Sequence, residues 1–320
     1  MISPESATQE QAPRKGLAGP CFFKNAVIFR LPPDCKPSSA ELEEKLSARP
    51  LTECGPLDTE RCGFVSATPL GRLVHTVNGQ HLIAVGVHKK ILPASVVRAE
   101  TQKRAEVVAE EQGFPVGRKQ LRELKEQVLT KLLAKALIKT QITRAWIDTI
   151  NGWLVVEGSG SSRAERLVSA LREALGSFAA TFVETETSPQ HAMASWLRAG
   201  EAPLRLTLDS DLELQAIDSK ATVKYARHAL DGEDIRKHLN EGKSVIRLGL
   251  TFADRIAFVL THKFELKKIA FLNLETEEAA SESIEERFDA DLLMMTADFA
   301  QLLSDLTKAL GGVKGGDERV

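Results

Sequence analysis

The order of apolar and polar positions divides the chain into strands and helices before any other property is considered. Cys21–Leu31 (CFFKNAVIFRL) has the apolar, β-branched run of a buried strand and is stopped by Pro32-Pro33. Ser38–Ala48 follows, with Leu42 and Leu46 four residues apart on the inward stripe of an amphipathic helix. Phe64-Val65 and Leu73–Val77 are short strand candidates, and the second leads through Asn78-Gly79 into His81–Val87. Asn and Gly both tolerate positive φ, so this pair between alternating strands predicts a two-residue hairpin. Thr76-Val77-Asn78-Gly79 is matched 73 residues later by Thr149-Ile150-Asn151-Gly152, again followed by an apolar run, which predicts two equivalent hairpins.

Between them the periodicity is helical, broken only at Gly113-Phe114-Pro115 and Gly117. One helix is expected over Pro93–Gln112 and a second over Arg118–Lys139, where Leu121, Leu124, Val128, Leu132 and Ala136 form a single stripe. Ser161–Leu175 is a further amphipathic helix. Leu204–Leu208, Leu212–Ile217 and Ala221–Tyr225 read as strands, Ile235–Asn240 as a helix, and Ser244–Phe252, Arg255–Leu260 and Leu266–Phe271 as a strand meander. Ile284–Leu310 closes the series as a helix stopped by Gly311-Gly312. Strands and helices are grouped rather than regularly alternated, which argues for an α+β fold with antiparallel sheets.

Charge changes this picture. The 320 residues carry a net charge of −2, but Gly86–Trp146 holds 13 Lys and Arg against 6 Glu while the remainder is acidic in balance. A continuous basic stretch in a near-neutral chain offers a local surface to a polyanion. Arg118, Lys119, Arg122 and Lys125 crowd the first half of the second helix, and Lys131, Lys135 and Lys139 step by four along the rest, each row on one helical face. Lys89, Lys90, Arg98, Lys103 and Arg104 extend the basic stretch toward its start. Lys and Arg on phosphates supply affinity and salt dependence without sequence information, and no zinc finger or clear recognition helix is evident to read bases.

Other constellations carry less. Gly158-Ser159-Gly160 precedes a helix but lacks the lysine of a P-loop and the third glycine of a dinucleotide fingerprint, and Ser161 or Ser162 reads as an N-cap. Asp148, Asp289 and Asp291 could serve a metal-dependent nucleic-acid enzyme, but Asp148 suits turn amides and the other two suit a helix start. The spacings of His75, His81 and His88 do not suit a shared metal site, so no cofactor or metal is expected. Cys21, Cys35, Cys54 and Cys62 form no Cys-x-x-Cys pair and read as free thiols in a reducing cytoplasm. No secretion-like or membrane-length apolar run is found, so a cytoplasmic protein is expected.

Several segments together resemble the RdgC family. They are Phe23-Lys24-Asn25 with its strand and Arg30-Leu31; Val77-Asn78-Gly79-Gln80; Lys90-Ile91-Leu92-Pro93; Trp146-Ile147-Asp148-Thr149-Ile150-Asn151-Gly152; and Arg287-Phe288-Asp289-Ala290-Asp291 through Met295-Thr296. The resemblance implies a horseshoe-shaped α+β subunit that pairs at both ends into a closed homodimeric ring. Double-stranded DNA would pass through a basic hole, with single-stranded DNA as a second candidate ligand. It further implies a nucleoid-associated, non-catalytic protein that restrains the RecA recombinase in recombination and replication. The family's aromatic interface residue, in the helix before the Trp-Ile-Asp strand, corresponds here to Leu137, a loss of aromatic area. A basic pair tied to DNA binding or ring closure corresponds to Arg227-His228, a partial match close to Lys224. The expected organisation is an extension over 1–20, a central domain over 21–88 and 146–182, a basic helical tip over 89–145, a C-terminal domain over 183–312 and a flexible tail over 313–320. The rival function classes are the nucleic-acid enzyme and a protein-interaction adaptor whose basic helices meet an acidic partner.

Overall fold

The computed structural model describes residues 21–68, 71–272 and 283–315. Its class is α+β, with seven helices among the described residues. The described residues form two compact units, one built from 27–65 and 82–182, the other from 21–26, 66–68, 71–81, 183–272 and 283–315.

In the first unit the strands are β1 (Ala26–Arg30), β2 (Glu60–Val65), β4 (Gln80–Lys90), β5 (Ile138–Asp148), β6 (Trp153–Glu157) and the two-residue β7 (Thr181–Phe182). They lie in the order β2-β4-β5-β6-β1, and β7 pairs antiparallel with β1. Helix α1 (Ser39–Ser47) starts where expected, because the Ser38 side chain accepts from the Glu41 N–H, and it buries Leu42 and Leu46. Helix α4 (Ser161–Leu175) buries Ala164, Leu167, Val168 and Leu171 on one face, and it packs on α1, β5 and β6. Its N-cap is Gly160, with no side-chain hydrogen bond, so neither Ser161 nor Ser162 caps it. Gly160 takes the extended conformation that turns the chain into the helix, which leaves Ser161 one position and Ser162 two positions past the cap.

The two Asn-Gly hairpins are not equivalent. At the first, Asn78 (φ 48°) and Gly79 (φ 76°) alone join β3 (Val74–Val77) to β4, the two-residue primed turn predicted. The second is a four-residue loop between Asp148 and Trp153, in which only Gly152 takes positive φ. Asp148 organises that loop: Oδ1 accepts from Ile150 N at 3.0 Å and Asn151 N at 2.9 Å, and Oδ2 from Asn151 Nδ2 at 2.7 Å. This buried side chain, 0% exposed, supplies the hydrogen bonds that close a loop two residues longer than the first. The shared Asn-Gly therefore reflects turn chemistry.

In the second unit the sheet order is β12 (Glu265–Phe271), β11 (Ile256–Thr261), β10 (Ser244–Phe252), β8 (Leu206–Gln215) and β9 (Thr222–Tyr225), with each neighbouring pair antiparallel. The two strands expected over Leu204–Leu208 and Leu212–Ile217 are one strand, β8. A register shift against β10 between Leu248 and Leu250 leaves the polar Asp209-Ser210-Asp211 opposite Gly249 as a bulge within β8. Gly249 permits this approach, since a Cβ there would lie 3.2 Å from Asp211. Helix α6 (Glu233–Asn240) follows β9, and α5 (Pro189–Ala199) packs on β10 and β11. Sequence reading passed over α5 although its signals are present: Ser188 accepts from His191 N, Pro189 begins the helix, and Gly200 ends it in the left-handed conformation. Helix α7 (Ile284–Ala309) opens with a Ser283–Glu286 capping box and buries Leu292, Phe299, Leu302, Leu303 and Leu306. After Gly311 and Gly312 the chain is not loose at first. Val313 bridges to Thr185, and Lys314 N bonds Glu184 O at 2.9 Å. The extension over 1–20 and the end of the tail, 316–320, lie outside the described residues.

Candidate nucleic-acid interface

The basic stretch folds as a helical hairpin carried by the sheet of the first unit. Helix α2 (Ala94–Gln112) begins at Pro93, which lacks the N–H an interior position would need, and ends at Gly113 in the left-handed conformation with its N–H on Ala109 O. Helix α3 (Arg118–Ala134) packs back against it. The seam is narrow. Val97, Thr101 and Ala105 on α2 and Leu124, Val128 and Leu133 on α3 are its buried residues. Thr101 can lie in it because its hydroxyl donates to Val97 O at 2.7 Å.

The second helix is shorter than its periodicity predicts. Lys135 N turns back to Leu132 O and Ala136 N to Leu133 O, while Ile91 N donates to Leu137 O at 2.8 Å. These bonds end the helix at Ala134 and close a neck where the hairpin leaves the sheet. Lys135 is therefore the C-cap and Lys139 lies on β5, so Lys131, Lys135 and Lys139 do not form a row on one helix. Leu121, expected in the apolar stripe, is exposed, and Leu133 is buried instead.

Lys89, Arg98, Lys103, Arg118, Lys119, Arg122, Lys125, Lys131, Lys135 and Lys139 are exposed, and Arg104 is half-buried. Arg122 approaches Glu126 at 3.9 Å, and among the described residues the others have no ion-pair partner. Lys90 is different. It is 8% exposed, and its ammonium donates to Gly55 O at 2.6 Å and Pro56 O at 2.8 Å. A cation committed to two carbonyls is withdrawn from phosphate contact, so Lys90 leaves the candidate set and becomes a clamp on the loop beside the neck. The adjacent Asp58 carboxyl is held below its ordinary range, chiefly by its hydrogen bond from Arg61.

In the second unit, Lys224, Arg227 and His228 are all exposed near the end of β9. Arg227 takes positive φ (54°), and His228 Nδ1 lies 2.6 Å from Ala229 O. Leu137, the candidate interface residue, lies in the neck rather than in a helix and is 77% exposed.

The carboxylates weighed for catalysis have other partners. Asp148 holds its turn, and Asp289 Oδ1 lies 2.6 Å from His75 Nε2, joining β3 to α7 within the second unit. Burial pushes the Asp291 carboxyl up, against the pull of Arg287. Among the described residues, no group of three or more His, Cys, Asp or Glu is arranged to hold a metal ion, and no helix is long and apolar enough to cross a membrane.

These features define an α+β protein that carries a hairpin of solvent-facing cations on a sheet. The chain belongs to the RdgC family: a family profile described as "Putative exonuclease, RdgC" matches residues 21–313. A protein of Dechloromonas aromatica (strain RCB) named "Recombination-associated protein RdgC" is 41% identical over 297 residues, covering 91% of this chain and 98% of the relative. Proteins of the same name from Bordetella pertussis (38% over 296 residues, 92% and 99% covered) and Cupriavidus pinatubonensis (41% over 294 residues, 91% and 98% covered) match similarly.

Proposed function

We propose that the protein binds duplex DNA without reading its sequence, closes around it as a homodimeric ring of horseshoe-shaped subunits, and thereby restrains RecA-mediated recombination. The observation that carries the reading is the exposed, largely unpaired set of cations on α2, α3 and the neck. Such groups release counterions when they meet phosphates, so the free energy resides in the backbone and is indifferent to base order. Lys224 and Arg227 are proposed as further phosphate contacts, and Leu137 and His228 as contacts between subunits. The names of the relatives place them in recombination, the setting in which occupied DNA would deny RecA its substrate.

The test is binding to random-sequence duplexes from about 50 to 300 mM salt, with a log-log slope of roughly −0.9 for each phosphate neutralised. Linear DNA and covalently closed circles are compared after a high-salt wash. Retention on circles with loss from linear ends supports encirclement. Equal loss from both overturns the ring, and no binding at low salt overturns the DNA reading. The word exonuclease in the family description motivates one control: cleavage with Mg²⁺ or Mn²⁺ that disappears in Asp289→Asn would replace this reading with an enzymatic one.

A further inference from the structure

The bend between α2 and α3 presents the most exposed large apolar residue among the described residues of the basic hairpin, a feature that phosphate binding does not use. Phe114 follows the left-handed Gly113 and precedes Pro115, and the residue is 61% exposed. The backbone around it is tied to both helices. Gln112 Nε2 donates to Phe114 O at 2.9 Å, and Gln120 Nε2 donates to Gln112 Oε1 at 2.8 Å, which ties the end of α2 to the first turn of α3. Arg118 and Lys119, both exposed and without ion-pair partners among the described residues, start α3 four and five residues further on. A large apolar ring presented to water on this bend, beside unpaired cations, suits a partner that is flat, apolar on its faces and bordered by negative charge.

We propose that Phe114 contacts the face of a nucleobase, stacking on an unpaired base or entering between the bases of a duplex step. The inference rests on the DNA reading above and adds a base-contacting residue to it. Aromatic side chains stack on any base, because every base offers a π-face, and apolar wedges entering a step unstack it without reading its sequence. Contact of this kind keeps binding sequence-independent. Arg118 and Lys119 would hold the neighbouring phosphates, while the tied bend lowers the backbone part of the ordering cost on binding.

The experiment uses the full chain, a random duplex and a random single strand, each carrying one 2-aminopurine whose fluorescence responds to stacking. With the wild type, binding changes that fluorescence. Phe114→Ala is expected to abolish the change and weaken binding about tenfold while leaving the salt slope unaltered, because no phosphate contact is lost. Lys119→Ala is expected to do the reverse, lowering the slope by roughly 0.9 and keeping the fluorescence change. Phe114→Trp should preserve both affinity and signal. A Phe114→Leu variant that keeps the duplex signal but loses the single-strand signal identifies wedging in a step; loss of both identifies stacking. Unchanged affinity and fluorescence in Phe114→Ala, with wild-type binding intact, overturns the inference alone. Absence of wild-type binding overturns the DNA reading with it. Loss of self-association in Phe114→Ala, with DNA signals intact, reassigns the ring to a protein contact and overturns the inference as well.

Discussion

Tyr225, the single tyrosine of the chain, shows how one side chain reports on its surroundings. It is half-buried at the end of β9, and burial, reinforced by a hydrogen bond to Asp234, pushes its phenol up from 10.0 to about 12. The unfolded chain therefore ionises this group first, and its contribution to stability, fully present below pH 10.0, is lost as pH rises toward about 12. An ultraviolet titration of the whole protein should give one phenolate transition near that upper value, and Asp234→Asn should move it down while the effect of burial persists. A wild-type transition at the ordinary tyrosine value would contradict the packing described. The contrast between Lys89 and Lys90 also belongs to this scale. Both stand in the same basic dipeptide, yet one faces water and the other is inward on two carbonyls. Strand alternation alone marks them as facing opposite ways; which way was inward depended on a loop more than 30 residues distant.

At the scale of elements, the α2–α3 hairpin behaves as a unit attached through a closed neck. Ile91 N and Leu137 O are already hydrogen-bonded, so replacing residues 94–134 by a short Gly-Ser linker should leave the supporting sheet intact. The expected outcome is a cooperatively folded protein, seen by thermal melting, whose affinity for random duplex at low salt falls by roughly a hundredfold or more. Retained affinity would move the DNA contacts elsewhere. Most of this element was readable in advance. Pro93, Gly113 and Gly117 bound the helices, and the apolar period supplies the seam at Leu124 and Val128. The end of α3 was not readable, because Leu132 and Ala136 continue a helical period through a position where the chain must turn to meet β5. Tertiary hydrogen bonding at the neck overrides local propensity there.

For the whole molecule, the proposed ring depends on contacts between copies, and Leu137 is the residue on which a substitution speaks most directly. It is exposed across 77% of its surface, and burial of such a side chain contributes about 1.5–3 kcal/mol when a partner covers it. Leu137→Asp should shift sedimentation toward the monomer, whereas Leu137→Phe should strengthen the dimer and prolong retention on closed circular DNA. Unchanged sedimentation in both variants would remove Leu137 from the interface. The sequence by itself determined the α+β class, most element positions, the concentration of basic charge and the family, because periodicity, turn residues and ordered motifs are local properties. Only the tertiary structure decided that Lys90 is a clamp, that Lys131, Lys135 and Lys139 share no helical row, that the two Asn-Gly turns differ, and that Phe114 stands exposed on a pinned bend. The first two depend on partners distant in sequence, Gly55 and Pro56 for Lys90 and the Ile91–Leu137 hydrogen bond at the end of α3; the other two depend on which nearby side chains, Asp148 and the Gln112–Gln120 pair, turn back onto the chain. The free energy that selects among local alternatives comes from burial and hydrogen bonds formed only when the chain closes on itself.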